Sequence, residues 1–192
     1  MNWMRCLVWF LICGLLACSP QKPSFQAIDL TGADYAQGFD LPDQGGQRRT
    51  LADFKGKVVV VFFGYTQCPD FCPTTLTEWL DVKKRLGARG DLIQPVFITL
   101  DPERDTPSIL KAYMAAFDPS FLALVPTLDE LPELAKRYKV YYKKVNTDTP
   151  GNYTMDHSAG TYVYDTEGRL RLYARYGMGA QAMSDDIAKL LP

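Results

Sequence analysis

The sequence predicts a single α/β domain in which a central mixed sheet is flanked by helices. Three observations support this fold class. A continuous run of β-branched and aromatic residues, Val58 to Phe63, is typical of a strand buried on both faces. Helix-start signals alternate with short apolar segments through the middle of the chain. Near the C-terminus, two strand-like segments flank the turn Asp165 to Gly168, which predicts a β-hairpin.

The first half of the domain is predicted to contain a hairpin, a strand, a helix and a second strand. The segment Phe39 to Phe54, with Gln44 to Gln47 as its turn, predicts an N-terminal hairpin. After the buried strand, Pro73 suits the first position of a helix over residues 73–86, because the N–H that proline lacks has no partner there. An alternating segment over residues 94–100 predicts the second strand.

The second half is predicted to add three helices and further strands. Thr106 and Pro107 form a cap and a first turn, and Thr127 to Glu130 fits a capping box. The predicted elements are helices over residues 106–117, 127–138 and 180–191 and strands over residues 139–145, 159–164 and 170–176. This order of strand, loop, helix and C-terminal hairpin is that of a thioredoxin-like fold with an N-terminal hairpin added.

The N-terminus predicts export from the cytoplasm. Residues 1–17 combine one positive charge with an apolar run shorter than the about 20 residues of a membrane span, as in a secretory signal peptide. Leu15-Leu16-Ala17-Cys18 is similar to a bacterial lipobox, which predicts cleavage before Cys18 and a diacylglycerol thioether on its sulfur. An ordinary signal peptide cut nearby and an uncleaved anchor are the alternatives. Residues 18–24 then form a tether, and residues 25–192 form the domain.

We therefore expect a membrane-anchored lipoprotein of the cell envelope, with its domain in the periplasm. That compartment is oxidising, so a disulfide can persist there. The formal net charge is −1, and no basic run interleaves with aromatic residues. Nucleic-acid binding is therefore not predicted.

Cys68 and Cys72 are the two cysteines that lie beyond the first 18 residues. Each precedes a proline, which disfavours the α conformation, so we expect both thiols outside the helix, in the loop at its N-terminal end. Backbone N–H groups and the helix dipole favour a thiolate there, the form that binds metal and attacks disulfides. Soft sulfur ligands select Cu(I) and Zn, and two cysteines with one histidine fall one ligand short of a structural zinc site. A redox dithiol and a plain structural disulfide are the alternatives.

The single histidine, His157, is a candidate third ligand. It lies in a polar stretch just before the strand over residues 159–164, where a loop residue can face the cysteine loop. A histidine that binds no metal is the alternative. Asp156 can orient the imidazole, or it is a solvated loop carboxylate. Asp70 can tune the thiols or contact a partner, or it is a turn residue, and Met155 is either a soft ligand or a packing residue.

Three motifs, in order along the chain, resemble those of the Sco/SenC family. They are Gly64-Tyr65-Thr66-Gln67-Cys68-Pro69-Asp70-Phe71-Cys72-Pro73, Thr99-Leu100-Asp101-Pro102-Glu103-Arg104-Asp105-Thr106-Pro107 and Asp156-His157-Ser158. Members of this family are thioredoxin-like copper proteins tied to cytochrome c oxidase assembly. The resemblance implies that Cys68, Cys72 and His157 bind copper as Cu(I) or Cu(II). It also implies that the second motif shapes the loop and caps the following helix.

Two functions remain open at this point. The first is a copper-binding assembly factor, not an enzyme in the turnover sense, that passes copper to the dinuclear copper site of cytochrome c oxidase subunit II. The second is a thiol–disulfide oxidoreductase that uses Cys68 and Cys72 to keep partner cysteines reduced and does not need His157. Other periplasmic copper or thiol carriers are further candidate partners. A peroxidase of the peroxiredoxin type fits poorly, because no proline stands between Phe62 and Gln67.

Overall fold

The computed structural model describes residues 23–192. The predicted signal peptide, the lipobox with Cys18 and most of the tether lie outside the described residues. None of the helices within residues 23–192 combines the length and the hydrophobicity that a membrane-spanning helix needs.

Two small hairpins and one larger sheet contain the strands of the described residues. In chain order the strands are β1 (Ile28–Asp29), β2 (Asp40–Pro42), β3 (Arg48–Thr50), β4 (Val58–Gly64), β5 (Ile93–Thr99), β6 (Leu122–Leu124), β7 (Tyr142–Asn146), β8 (Tyr153–His157), β9 (Thr161–Tyr164) and β10 (Leu170–Ala174). The larger sheet has the order β1-β10-β9-β4-β5-β6. It is mixed, because β5 runs parallel to β4 whereas β9 runs antiparallel to it.

The buried centre of this sheet is the strand pair β4 and β5. Every residue of both strands is buried, as expected for strands with helices on both faces. The run Val58 to Phe63 is therefore the central strand that its composition predicted, and the predicted α/β class with a mixed sheet is confirmed.

Helices cover both faces of the sheet. They are α1 (Phe71–Arg85), α2 (Pro107–Ala115), α3 (Leu131–Tyr138) and α4 (Ala180–Ala188), with 3-10 turns at Leu51–Phe54 and Gly87–Leu92. Helices α1 and α4 pack against each other, and Trp79 of α1 lies beside Val163. On the opposite face, the ring of Tyr138 in α3 lies 5.0 Å from that of Phe63.

Three of the predicted turn and cap signals are confirmed. Strands β2 and β3 pair as the predicted N-terminal hairpin. The Thr106 side chain accepts a hydrogen bond from the Ile109 N–H, and Pro107 begins α2. The capping box before α3 is formed in both directions, because Thr127 N–H donates to Glu130 (2.9 Å) and Glu130 N–H donates to the Thr127 hydroxyl (3.2 Å).

The hairpin of β7 and β8 is the main element that the sequence did not predict. Only its first strand was expected, and His157 was placed in a loop. That placement is wrong, because His157 is the last residue of β8 and pairs with Tyr142. The segment Tyr153–His157 is short and polar, so its strand conformation depends on pairing with β7 rather than on its own pattern.

Candidate metal centre

Three predicted ligands, distant in sequence, converge at the N-terminal end of α1. Cys68 lies in the loop after β4, Cys72 lies in α1, and His157 ends β8. Their ligand atoms all lie within 4.8 Å of one another, and Cys72 Sγ is 3.9 Å from His157 Nε2. Both cysteines are free thiols, 7% and 2% exposed respectively. The fold therefore forms a cluster of two sulfurs and one imidazole nitrogen.

The prediction that both thiols lie outside the helix is wrong for Cys72. Helix α1 begins at Phe71, so Cys72 lies in its first turn and Pro73 occupies the third helical position, not the first as predicted. The N–H groups of a first helical turn have no partner within the helix, so proline removes no hydrogen bond at that position. Cys72 is therefore the interior thiol, and Cys68 lies in the loop as predicted.

Gly64, the last residue of β4, makes room for the Cys72 sulfur. A Cβ at position 64 would lie 2.5 Å from Cys72 Sγ and 2.8 Å from the Phe97 ring. Both distances are well below the about 3.5–4.0 Å of an ordinary contact. The missing side chain at Gly64 thus lets Cys72 approach the strand. From the sequence, this glycine indicated only the end of a strand.

The two thiols differ in electrostatic environment. A hydrogen bond from the Cys72 thiol lowers the pKa of Cys68 to about 3 against the opposing effect of burial, and the nearby imidazole and the backbone N–H groups of Asp70 and Cys72 lower it further. The same hydrogen bond to Cys68, together with burial, raises the pKa of Cys72. The reduced pair therefore carries a thiolate on Cys68 and a thiol on Cys72.

Contacts on two sides set the orientation of the His157 ring. Its Nδ1–H donates to the Ser158 carbonyl oxygen at 2.9 Å, which turns the Nε2 side of the ring towards the sulfurs. The Tyr65 ring meets the imidazole edge to face, with centroids 6.0 Å apart. Burial raises the pKa of the Tyr65 phenol, against the opposing effect of the nearby Met155 backbone. No role for Tyr65 was predicted from the sequence.

The other predicted site residues lie around this cluster. Asp70 is exposed and precedes the first residue of α1, and its backbone N–H faces Cys68. Asp156 is exposed in β8 opposite Lys143, and side chains alternate along a strand, so it points away from the face that carries His157. The roles predicted for the Asp70 and Asp156 side chains stay predictions. Met155 is buried on the same face as His157.

Asp105, in the second motif, holds the start of the cysteine loop. It is fully buried and accepts hydrogen bonds from the Thr99 hydroxyl (2.6 Å) and from the backbone N–H (3.1 Å) and hydroxyl of Thr66. Burial raises the pKa of this carboxyl. The motif thus shapes the loop, as the family resemblance implied.

The donor set fits copper. Two cysteine sulfurs and one imidazole are the soft and intermediate ligands that copper accepts in either oxidation state. Ligand atoms that share one ion at about 2.0–2.3 Å lie no more than about 4.6 Å apart. The three atoms here lie within 4.8 Å of one another, so a small approach is enough for all three to bind one ion. The space that a Cβ at Gly64 would fill is occupied by a ligand sulfur, so the surrounding fold is shaped to this donor set.

Comparison with known proteins gives consistent results. The family model described as SCO1/SenC matches residues 29–192. An SCO2-like protein of Rickettsia felis is 36% identical over 154 residues, which are 79% of this chain and 75% of the relative. The structure of Bradyrhizobium japonicum ScoI with copper bound matches with a TM-score of 0.72 and 40% identity, covering 80% of this chain and 98% of that one.

A second copper-containing structure supports the same assignment. Yeast Sco1 with copper bound matches with a TM-score of 0.69 and 34% identity, covering 87% of this chain and 88% of that chain. The thioredoxin-like fold and the family resemblance inferred from the three motifs are thereby confirmed. The chain belongs to the SCO1/SenC family.

Proposed function

We propose that the protein binds copper and delivers it to the dinuclear copper site of cytochrome c oxidase subunit II. The convergence of Cys68, Cys72 and His157 within 4.8 Å carries this proposal. Further support comes from relatives whose structures contain copper and from BsSco, described as a member of the Sco family of cytochrome c oxidase assembly proteins.

The arrangement of the ligands suits a protein that both holds and releases copper. Two thiolates are sufficient for near-linear Cu(I), and the imidazole adds the third ligand that Cu(II) needs. Cys68 lies in a loop and is the more exposed thiol, so it is the ligand that an incoming thiolate or imidazole can replace first. A Cys68–Cys72 disulfide would have no thiolate to offer, and the redox state of the pair therefore controls copper loading.

A thiol–disulfide oxidoreductase is the second candidate function. The lowered pKa of Cys68 and the buried thiol of Cys72 favour it. The Cys68 thiolate would attack a partner disulfide, and Cys72 would resolve the mixed disulfide. Reduction of the oxidase cysteines would prepare them for copper, so the two functions are compatible.

The location of the protein forms part of the proposal. A lipid on Cys18 would anchor the chain to a membrane of the cell envelope and place the domain in the periplasm. Subunit II, and other periplasmic copper or thiol carriers, would be reached there.

An anaerobic copper titration of the reduced protein against a competing chelator tests the proposed function. We expect one tightly bound copper per chain, with a sulfur-to-copper charge-transfer band for Cu(II), and transfer of that copper to a subunit II fragment. His157→Ala should lose much of the Cu(II) affinity, whereas a pure dithiol reductase would tolerate this change. Weak or substoichiometric binding would contradict copper delivery and leave the reductase function.

A further inference from the structure

Strands β7 and β8 form a sheet of their own, and the hydrogen bonds at its two ends fix which backbone groups face outwards. Within residues 23–192, each of the two strands pairs only with the other. At one end the Ser158 N–H donates to the Tyr141 carbonyl oxygen, and at the other the Thr147 N–H donates to the Asn152 carbonyl oxygen. Residues bonded to the partner strand alternate with residues whose N–H and C=O groups point away from it. The odd-numbered residues of β7 therefore bond to β8, and the even-numbered residues face outwards.

The outward groups belong to Tyr142, Lys144 and Asn146. None of their backbone N–H and C=O groups has a hydrogen-bond partner among the described residues. A free edge of this kind can bind an extended chain, which adds a strand through main-chain hydrogen bonds. Tyr142 lies opposite His157, and neighbouring strands lie about 4.8 Å apart. An added strand would therefore run about 10 Å from the backbone of the nitrogen ligand.

The charged side chains along this edge are basic. Residues 134–147 contain five Lys or Arg residues and no Asp or Glu. Lys144 pairs with Glu103. Lys143 is exposed and lies opposite Asp156 in the hairpin. These two carboxylates offset only part of the charge, so the edge keeps an excess of positive charge.

Two apolar side chains accompany the basic ones. Tyr141 is 59% exposed and Val145 is 37% exposed. Side chains alternate along a strand, so both lie on the same face as Lys143, away from the face that His157 shares. Aromatic and β-branched side chains pack well against a neighbouring strand. An added strand would therefore cover apolar as well as basic side chains.

Like charges disfavour a second copy of this chain as the added strand. Pairing two β7 strands antiparallel with all five residues matched would place Lys144 opposite Lys144. The neighbouring register would place Lys143 opposite Lys143. Directly opposed like charges destabilise a sheet, and lysine on an edge strand is a common protection against self-association. The same side chains favour a strand that carries Asp or Glu.

We propose that the outer edge of β7 binds an extended acidic segment of the protein that accepts copper, so that this segment becomes a third strand of the hairpin. This inference rests on copper delivery as the proposed function. Main-chain hydrogen bonds to Tyr142, Lys144 and Asn146 supply affinity, and Lys143 supplies the preference for acidic side chains. The acceptor is thereby held beside the strand that ends in His157 without occupying a copper ligand.

A short capped peptide of alternating valine and glutamate tests the edge in the absence of copper. Its binding to the reduced, metal-free protein is followed by hydrogen exchange, resolved at single amides by NMR. We expect slower exchange at Tyr142, Lys144 and Asn146, and unchanged exchange at Lys143 and Val145, whose N–H groups already bond to β8. The same peptide with lysine in place of glutamate should bind at least about threefold more weakly.

Variants of the edge separate the main-chain contribution from the charge. Asn146→Pro removes an outward N–H but no hydrogen bond of the β7–β8 pair, so it should weaken binding of the acidic peptide about fivefold or more. The matched control Asn146→Ala keeps the N–H and should bind normally. Lys143→Glu should reverse the preference between the two peptides. Lys55→Glu, the same charge change at an exposed residue before β4, should not.

The transfer of copper to a subunit II fragment connects the edge with the proposed function. Asn146→Pro should bind copper as Asn146→Ala does but transfer it about fivefold more slowly at low acceptor concentration. Equal transfer rates of the two variants would overturn the inference, as would equal binding of the two peptides. Slow exchange at the outward amides without peptide, dependent on protein concentration, would show that a second copy occupies the edge and would also overturn it. Failure of the unaltered protein to bind or transfer copper would instead contradict the proposed function, and this failure is seen without any variant.

Discussion

Replacing Gly64 by alanine directly tests how the site is built. The added Cβ would lie 2.5 Å from Cys72 Sγ and 2.8 Å from the Phe97 ring. Restoring a contact of about 3.5 Å requires a movement of about 1 Å by the sulfur or the strand. Phe97 is fully buried and Cys72 is 2% exposed, so neither can turn into solvent.

This geometry sets the expected size of the effect. Overpacking of a filled core by one methyl group typically destabilises a protein by about 1–3 kcal/mol. Metal sites tolerate ligand displacements of only about 0.2 Å, so a sulfur moved by about 1 Å should lower copper affinity by about tenfold or more. We expect Gly64→Ala to show both effects in chemical denaturation and in copper competition titrations.

Gly90→Ala provides a matched control for loss of stability alone. Its Cβ would lie 2.2 Å from the Lys83 carbonyl oxygen, near the other end of α1 and about 16 Å along the helix from Cys72. This variant should be destabilised but should bind copper normally where it is folded. Normal stability together with normal copper affinity in Gly64→Ala would refute the view that this glycine shapes the site.

Three further predictions concern the loop, the thiols and the N-terminal segment. Asp105→Ala leaves Thr66 and Thr99 without their buried acceptor, so the free energy of unfolding measured by urea denaturation should fall by about 3 kcal/mol. A loss below about 1 kcal/mol would contradict the role of Asp105 in holding the loop. The pKa of Cys68 is lowered to about 3, so the thiolate absorbance of the reduced, metal-free protein should stay constant from about pH 5 to about pH 8. An ordinary thiol, in contrast, ionises mainly above about pH 8. Cys72→Ala should move the titration of the Cys68 thiol to higher pH. Asp186 is 2% exposed and accepts hydrogen bonds from the N–H groups of Gln26 and Ala27, both at 2.8 Å. Asp186→Ala should therefore speed hydrogen exchange at these two amides and destabilise the fold by about 2 kcal/mol. Unchanged exchange would show that β1 is held by pairing with β10 alone.

Much of the fold could be predicted because local patterns determine it. The uninterrupted apolar run of β4 requires burial on both faces, and the Thr127–Glu130 capping box and the Asp165–Gly168 turn depend on residues that are near neighbours in sequence. Strands β1, β6 and β8 were missed because their own residues carry no clear strand pattern. Ile28–Asp29 and Leu122–Leu124 are short and become strands only by pairing with distant segments, and Tyr153–His157 is a polar strand that depends on pairing with its neighbour β7.

The position of Cys72 shows how a correct local rule can give a wrong result. A residue before proline avoids the α conformation on average, yet Cys72 lies in the first turn of α1. Packing of its sulfur into the space beside Gly64 outweighs that preference. The sequence contains both residues, but only the folded chain brings them into contact.

The sequence by itself determined the chemical identity of the site: two thiols separated by three residues, one imidazole, and three ordered motifs that indicate the family. The tertiary structure decided which thiol is interior, which nitrogen of His157 faces the sulfurs, and which edge of the β7–β8 hairpin faces outwards. These properties depend on contacts between segments up to 85 residues apart. Such contacts form only when the sheet and helices assemble, because no local pattern encodes the distance between two segments that are remote in the chain.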